Sequence, residues 1–248
     1  MCLEHAREDS APHDLLVIIP AWNEEESVGG VVHSVRECVP RADVLVVSDG
    51  SRDGTAAAAR KAGADVLDLK INLGVGGAMR AGFVYAVDNG YRSAVQVDAD
   101  GQHNPADIPA LVEKIEEGAD IVIGSRFAGV GKYRSRGPRR WAMKILASVL
   151  SGIAHTKLTD VTSGFKAYSA RALALFSTSY PAEYLGDTIE ALVVGIRSGM
   201  VVEQVGVEMR KRVAGEPSHS PGKSTVYLLR ASLALAVALV SPVKKAVR

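Results

Sequence analysis

Short apolar runs, each closed by a polar cluster, alternate along this chain with stretches whose apolar positions recur every three or four residues. Leu15-Leu16-Val17-Ile18-Ile19-Pro20 is apolar without alternation, which predicts a strand buried on both faces and stopped by proline. Ala21-Trp22-Asn23-Glu24 forms the loop at its carboxyl end, and Val28, Val31, Val32, Val35 and Val39 then keep helical spacing. Val44-Leu45-Val46-Val47 predicts a second buried strand, ending in Ser48-Asp49-Gly50-Ser51. An Ala-rich helix covers Thr55 to Ala62, and Val66-Leu67-Asp68-Leu69 is a third strand. A glycine-rich turn from Asn72 to Gly82 opens the next helix, and Val95-Gln96-Val97 is a strand running into Asp98-Ala99-Asp100-Gly101-Gln102-His103.

Farther along, Asn104 caps a helix with Pro105 at its first position, ending near Gly118. Asp120 to Gly124 is a strand followed by Ser125-Arg126-Phe127, and a helix runs from about Arg139 to Ile153. The stretch from Asp160 to Tyr168 reads as a polar turn with an aromatic anchor, and Ser169 caps a short helix. Asp187 and Glu190 have capping-box spacing before a helix to Gly199, and Val201 to Met209 is the last strand. Strand and helix in alternation predict an α/β chain with a doubly wound, mostly parallel sheet and helices on both faces. Ligands bind such sheets at the carboxyl ends of the strands.

Composition adds bounds. The 248 residues are 47% apolar and 23% charged, which excludes wholesale disorder, and 29 basic against 28 acidic residues leave no global case for nucleic acid. Cys2 and Cys38 make neither a disulfide framework nor a zinc site, so a reducing, cytoplasmic setting is expected. Residues 1–13 are expected to form a disordered tail and residues 14–222 a single domain. In 223–248 the only charge between Val226 and Val240 is Arg230, with Lys244, Lys245 and Arg248 beyond Pro242. This predicts an apolar helix with a basic tail, lying on the membrane interface, spanning it, or packed on protein.

The candidate chemistry gathers at strand ends. In extended chain, residues two apart share a face, so Asp98 and Asp100 can converge on a divalent cation that also holds phosphate oxygens. An Asp-Gly turn with two solvated acids is the alternative. The glycine-rich turn offers either close packing or backbone amides, with Arg80, facing a diphosphate. Gly129, Gly131, Lys132, Arg134, Arg136, Arg139 and Arg140 form a basic loop, a solvated surface by default but placed here at the ligand edge.

Motifs stand in a fixed order: Pro20-Ala21-Trp22-Asn23-Glu24, Val47 to Thr55, Asn72-x-Gly74-x-Gly76-Gly77-x-x-Arg80-x-Gly82, Asp98 to His103, Gly124-Ser125-Arg126-Phe127 and Asp160-x-x-Ser163-Gly164-Phe165. Over roughly residues 15 to 215 the chain resembles family 2 glycosyltransferases of the GT-A fold, in the branch of dolichol- or polyprenyl-phosphate sugar transferases. The resemblance implies sugar transfer from a nucleotide-sugar, GDP-mannose or a UDP-sugar, to a polyprenyl phosphate with inversion. It implies a nucleotide pocket of Pro20, Ala21, Trp22, Asn23 and Glu24, with Ser48 and Asp49 near the base and Gly76 and Arg80 near the diphosphate. Asp98, Asp100 and Gln102 would hold Mg²⁺ or Mn²⁺, with Ala99 between the two acids, and Arg212 would close over the donor. Arg126, Lys132, Arg134, Arg139, Arg140 and Ser163 would face the lipid phosphate.

A membrane surface at the cytoplasmic, inner face is the implied location, with a small membrane subunit as a candidate partner and no nucleic acid. Ser48 stands where the family usually has an acid, Trp22 where it has Tyr, and Lys166 where it often has Arg. Two other readings stay open. A hydroxyl acceptor on protein or carbohydrate would need a carboxylate base, which Asp187 or Glu190 could supply. The fold could also serve as a non-catalytic nucleotide-sugar-binding subunit, against which intact Asp98 and Asp100 argue.

Overall fold

The structure, a computed structural model, describes residues 14–126, 138–181 and 187–210. The expected tail 1–13 and the apolar segment 223–248 lie outside these residues. Among the described residues no helix is long and apolar enough to cross a membrane.

β1 (Leu15–Ala21) has β2 (Asp43–Asp49) on one side and β4 (Ser93–Gln96) on the other, both parallel to it, and β3 (Asp65–Leu69) extends the sheet beyond β2. On the far side come β6 (Lys166–Ser169), β5 (Ile121–Ser125) and β7 (Val202–Gly206), giving the order β3-β2-β1-β4-β6-β5-β7. β6 is antiparallel to both of its neighbours, and every other pairing is parallel.

Both faces of the sheet are covered, which is why β1 shows no alternation in sequence. Val17, Ile19, Val44 and Val46 face Val28, Val31, Val32 and Val35 of α1 (Glu25–Cys38) and Ala59 of α2 (Thr55–Lys61). Ile108 and Leu111 of α4 (Ile108–Glu116) join the same cluster. Leu16, Ile18, Leu45 and Val47 point the other way, toward Ala78, Met79 and Phe83 of α3 (Gly74–Asp88). That second cluster also takes in Leu146 and Leu150 of α5 (Pro138–Ala154), Phe176 of α6 (Ala170–Ser179) and Leu192 of α7 (Asp187–Arg197). Each such side chain contributes about 1.5–3 kcal/mol on full burial, so a strand covered twice has no use for polar positions.

Two of the predicted caps hold: Asn104 Oδ1 accepts from the Ala106 amide and Ser169 Oγ from the Ala172 amide. Two readings of the sequence are corrected. Lys166 to Tyr168, read as part of a polar turn, lie in β6 (Lys166–Ser169), which closes the gap between β4 and β5. β4 stops at Gln96, so Asp98 and Asp100 lie in the turn beyond it rather than two apart in extended chain.

Candidate active site

The carboxyl ends of β1 and β2 are laced to each other. Asn23, in the left-handed region at φ 54°, accepts the Arg52 amide on Oδ1 while its own amide donates to Ser51 Oγ. The Glu24 amide donates to Thr55 Oγ1, the Glu25 amide to Asp53 Oδ2, and the Gly54 amide to Glu25 Oε2. Burial raises the Asp53 carboxyl, but hydrogen bonds from Thr55 and from the Glu25 amide outweigh that and hold it below its ordinary value. Above this network Trp22 stands 58% exposed, a large ring at a strand end with nothing over it among the described residues. Pro20 is half-buried beneath it and Ala21 buried.

The β2 end meets the glycine-rich turn. Asp49 Oδ1 accepts the Leu73 amide at 2.7 Å, just ahead of α3, and Asn72 Nδ2 donates to the Asp49 carbonyl. Gly50, at φ 64°, lies so close that a Cβ there would sit 2.6 Å from the Asn72 nitrogen. Burial raises the Asp49 carboxyl above its ordinary value, and the Leu73 and Gly74 amides only partly offset this. A protein carboxylate thus occupies the helix start that the sequence offered to a diphosphate. Gly76 is buried in α3, and Arg80 is exposed with Nε donating to the Ser177 carbonyl. Ser48 is fully buried, its hydroxyl without a hydrogen-bond partner among the described residues. A groove of about 570 Å³ runs past Leu73, Gly77, Arg80 and Val84, away from the paired acids.

Beyond β4 the chain turns sharply. Asp100 is buried and its Oδ1 accepts the Gln102 amide at 2.9 Å, a side-chain-closed turn. Asp98 keeps 38% of its side chain exposed, with Oδ1 3.2 Å from Gln96 Nε2 and Oδ2 3.5 Å from His103 Nε2. Ala99 is buried between them. The chain after β7 returns across this turn: the Arg210 amide donates to the Gln102 carbonyl, and Met209 bridges His103. Arg212, two residues on, lies outside the described residues.

Arg126 follows β5 and grips Asp160 with Nε to Oδ2 at 2.6 Å and Nη2 to Oδ1 at 2.8 Å, while Nη2 also reaches Thr162 Oγ1. Burial would raise the Asp160 carboxyl, but the hydrogen bonds and charge of Arg126 reverse this and hold it below the usual carboxylate range. Ser125 and Gln204 bind Thr159, so the 158–165 loop is tied to β5 and β7. Ser163 is buried with Oγ accepting the Phe165 amide. Lys132 and Arg134 lie outside the described residues, as do the side chains of Arg139, Arg140 and Asp187, whose backbones lie in α5 and α7.

Sequence reasoning missed Gln96, Asp160 and Phe165 as neighbours of the acids and of Arg126. Gln96 carried a signal, a polar residue inside an otherwise apolar run; the other two carried none beyond their motif.

The parallel-dominated sheet, with an antiparallel β6 beside β4 and acids beyond its strand ends, has a GT-A-like fold. Residues 16–176 match the family model for Glycosyl transferase family 2, and the chain is a glycosyltransferase of that family. It is 35% identical over 218 residues to the undecaprenyl-phosphate mannosyltransferase of Micrococcus luteus, covering 84% of this chain and 88% of that one. The polyprenol monophosphomannose synthase of Mycolicibacterium smegmatis is 37% identical over 165 residues, 64% of this chain and 62% of that one. Glucosyl-3-phosphoglycerate synthase from Mycobacterium tuberculosis, solved with Mn²⁺, uridine diphosphate and phosphoglyceric acid, has a TM-score of 0.68 at 22% identity. The match covers 94% of this chain and 80% of that chain, a likeness of fold.

Proposed function

We propose that this chain transfers a sugar, with inversion, from a nucleotide-sugar to a polyprenyl phosphate, using a divalent cation at Asp98 and Asp100. The observation that carries the reading is the Asp98 turn, where an open carboxylate stands beyond β4, the strand beside β1 and its Trp22 loop. The relatives named for undecaprenyl phosphate and polyprenol support the acceptor. GDP-mannose and UDP-sugars are the donors to test.

The donor set fits Mg²⁺ or Mn²⁺. Both acids offer hard oxygen, and among the described residues no group of three or more His, Cys, Asp or Glu side chains converges to hold an ion. Two carboxylates, with Gln102 beside them, leave the remaining positions to donor phosphates and water, the pattern Mg²⁺ favours. When bound, the cation neutralises charge on the departing nucleoside diphosphate. Trp22 offers its face to the base, and the laced loops beneath fix its position. A phosphate acceptor is already an anion, so it needs positioning rather than a general base. Lys132, Arg134, Arg139, Arg140 and Arg212 supply cations for the two phosphates, with Arg126 and Ser163 shaping the loops around the acceptor side. The segment 223–248 holds the site at the inner membrane face, alone or with a small membrane subunit.

A donor screen with purified protein tests this. GDP-mannose, UDP-glucose and UDP-N-acetylglucosamine are each offered with a short polyprenyl phosphate, with Mg²⁺, Mn²⁺ or EDTA. Metal-dependent release of one nucleoside diphosphate with a glycolipid product is expected. Turnover only with a hydroxyl acceptor would overturn the acceptor assignment, and nucleotide binding without turnover on any acceptor would overturn catalysis.

A further inference from the structure

Asp98 is held on three sides by groups outside the metal-binding pair. The His103 ring is buried and stacked on Phe165, with centroids 4.8 Å apart and planes at 13°. Its Nδ1 accepts the Asp98 backbone amide at 3.0 Å. A neutral imidazole that accepts at Nδ1 carries its proton on Nε2, and Nε2 faces Asp98 Oδ2 at 3.5 Å. The other oxygen, Oδ1, takes the amide of Gln96, itself buried. Gly164 forms the floor: a Cβ there would sit 2.9 Å from Oδ2 and 3.0 Å from Oδ1. The loop that carries Gly164 and Phe165 is anchored in turn by the Arg126–Asp160 pair.

We propose that His103 is a positioning residue which, with Gln96 and the Gly164 floor, aims the Asp98 carboxylate at the cation. The assignment rests on the metal-dependent reading above. One ring nitrogen fixes the backbone of the ligand residue and the other faces its carboxylate, while Phe165 stops the ring from turning. Only one side of the carboxylate is left open. Hydrogen-bonded outer partners of metal-binding carboxylates are worth about 10–100-fold in metal affinity. The Ser163-Gly164-Phe165 turn thereby acts on the metal turn through packing, since any side chain at position 164 would push the carboxylate aside.

The test uses the full chain. Mn²⁺ is titrated with GDP and, separately, with UDP, following free Mn²⁺ by electron paramagnetic resonance, for wild type and His103→Phe, which keeps the stack and removes both nitrogens. Mn²⁺ affinity is expected to fall about 10–100-fold, while nucleotide binding in EDTA stays within about twofold. A general loss of structure would lower both. His103→Asn, whose Oδ1 can still accept the Asp98 amide, should fall between the two. Unchanged Mn²⁺ affinity in a folded His103→Phe would overturn the proposal. Should that variant not fold, Gly164→Ala takes its place: the same fall is expected, and unchanged Mn²⁺ affinity would overturn the proposal equally. An independent readout needs no metal: a ¹⁵N–¹H correlation of the unaltered protein should show the His103 proton on Nε2 alone. A proton on Nδ1 would sink the assignment, whatever the metal data. Wild type that binds no Mn²⁺ with either nucleotide would instead overturn the metal-dependent reading, and the ring tautomer would decide the seat by itself.

Discussion

The loop pair after β1 and β2 and the turn after β4 are both rich in acids, yet only the turn leaves one of them, Asp98, with no backbone amide on its carboxylate among the described bonds. In the first region Asp53 accepts the Glu25 amide, Glu25 accepts the Gly54 amide, and Asp49 accepts the Leu73 amide. Those carboxylates do the work of backbone partners and knit two loops into a platform under Trp22. In the second region Asp98 is aimed by side chains and keeps one side open, with more than a third of its side chain exposed. A carboxylate that meets no backbone amide, as at Asp98, stays open to ligand, whereas Asp100 in the same turn gives Oδ1 to the Gln102 amide as the first region's acids do. Residue type alone does not separate the cases.

The sharpest way to break this contrast is to remove the open acid. Asp98→Asn should lower kcat/KM by about a thousandfold, since a metal site supplies several kcal/mol of charge stabilisation. Its thermal unfolding should move little, because the carboxylate accepts no backbone amide among its described bonds. If the variant instead loses stability and keeps its activity, Asp98 belongs with the structural acids.

Asp160 marks the opposite extreme, an acid wholly committed to a partner. Asp160→Asn should cost about 3 kcal/mol in a guanidinium titration, because Arg126 is left in a largely buried place without its counter-charge. The pH dependence has a definite sign. With the folded pKa below the ordinary carboxylate value, the stabilisation is complete above about pH 4 and is lost as pH falls through the lowered value. Wild-type stability should decline in that acid range, and the variant should lack this component.

Much of the contrast was invisible in sequence for identifiable reasons. The buried strands β1, β2 and β5 were legible because a sheet covered on both faces leaves no polar positions. β6 was not, since it is four residues long and opens with Lys166, buried at 1% exposure where a charge argues against a strand. Asp98 and Asp100 were legible as a pair, though the turn that presents them was not, because it depends on Asp100 closing onto the Gln102 amide. The role of Asp49 was hidden for the same reason: its partner lies 24 residues away, and only the fold brings the start of α3 to the end of β2. Gly164 stood in a recognisable motif, but its reason, a carboxylate 2.9 Å from where a Cβ would be, is a tertiary fact.

Trp22 tests the platform itself at a smaller scale. Trp22→Ala should leave unfolding nearly unchanged, the ring being exposed, and raise the donor KM about tenfold, as loss of one base–aromatic stack costs about 1–3 kcal/mol. Trp22→Tyr should restore most of the affinity. A donor KM unmoved by the Ala variant would mean the laced loops support something other than nucleotide binding.

The smallest effect, and the most pointed, concerns Asp49. Its carboxyl is raised by burial, so it should act on stability with the sign opposite to Asp160. As pH rises from about 4, the unfolded chain ionises first while the folded protein keeps its proton, and stability from this group falls until the raised folded value is passed. Asp49→Asn keeps an oxygen to accept the Leu73 amide and removes the charge that burial penalises. Unfolding curves of both proteins at about pH 3.5, 5 and 7 should therefore show the Asn variant gaining on wild type as pH rises from the ordinary carboxylate value toward the raised one. A variant that instead loses ground at neutral pH would show that the charge itself, drawn to the positive start of α3, outweighs its burial. Asp49 would then resemble Asp160, an acid kept ionised by its partner, and the line between the two regions would run through the open side of Asp98 alone.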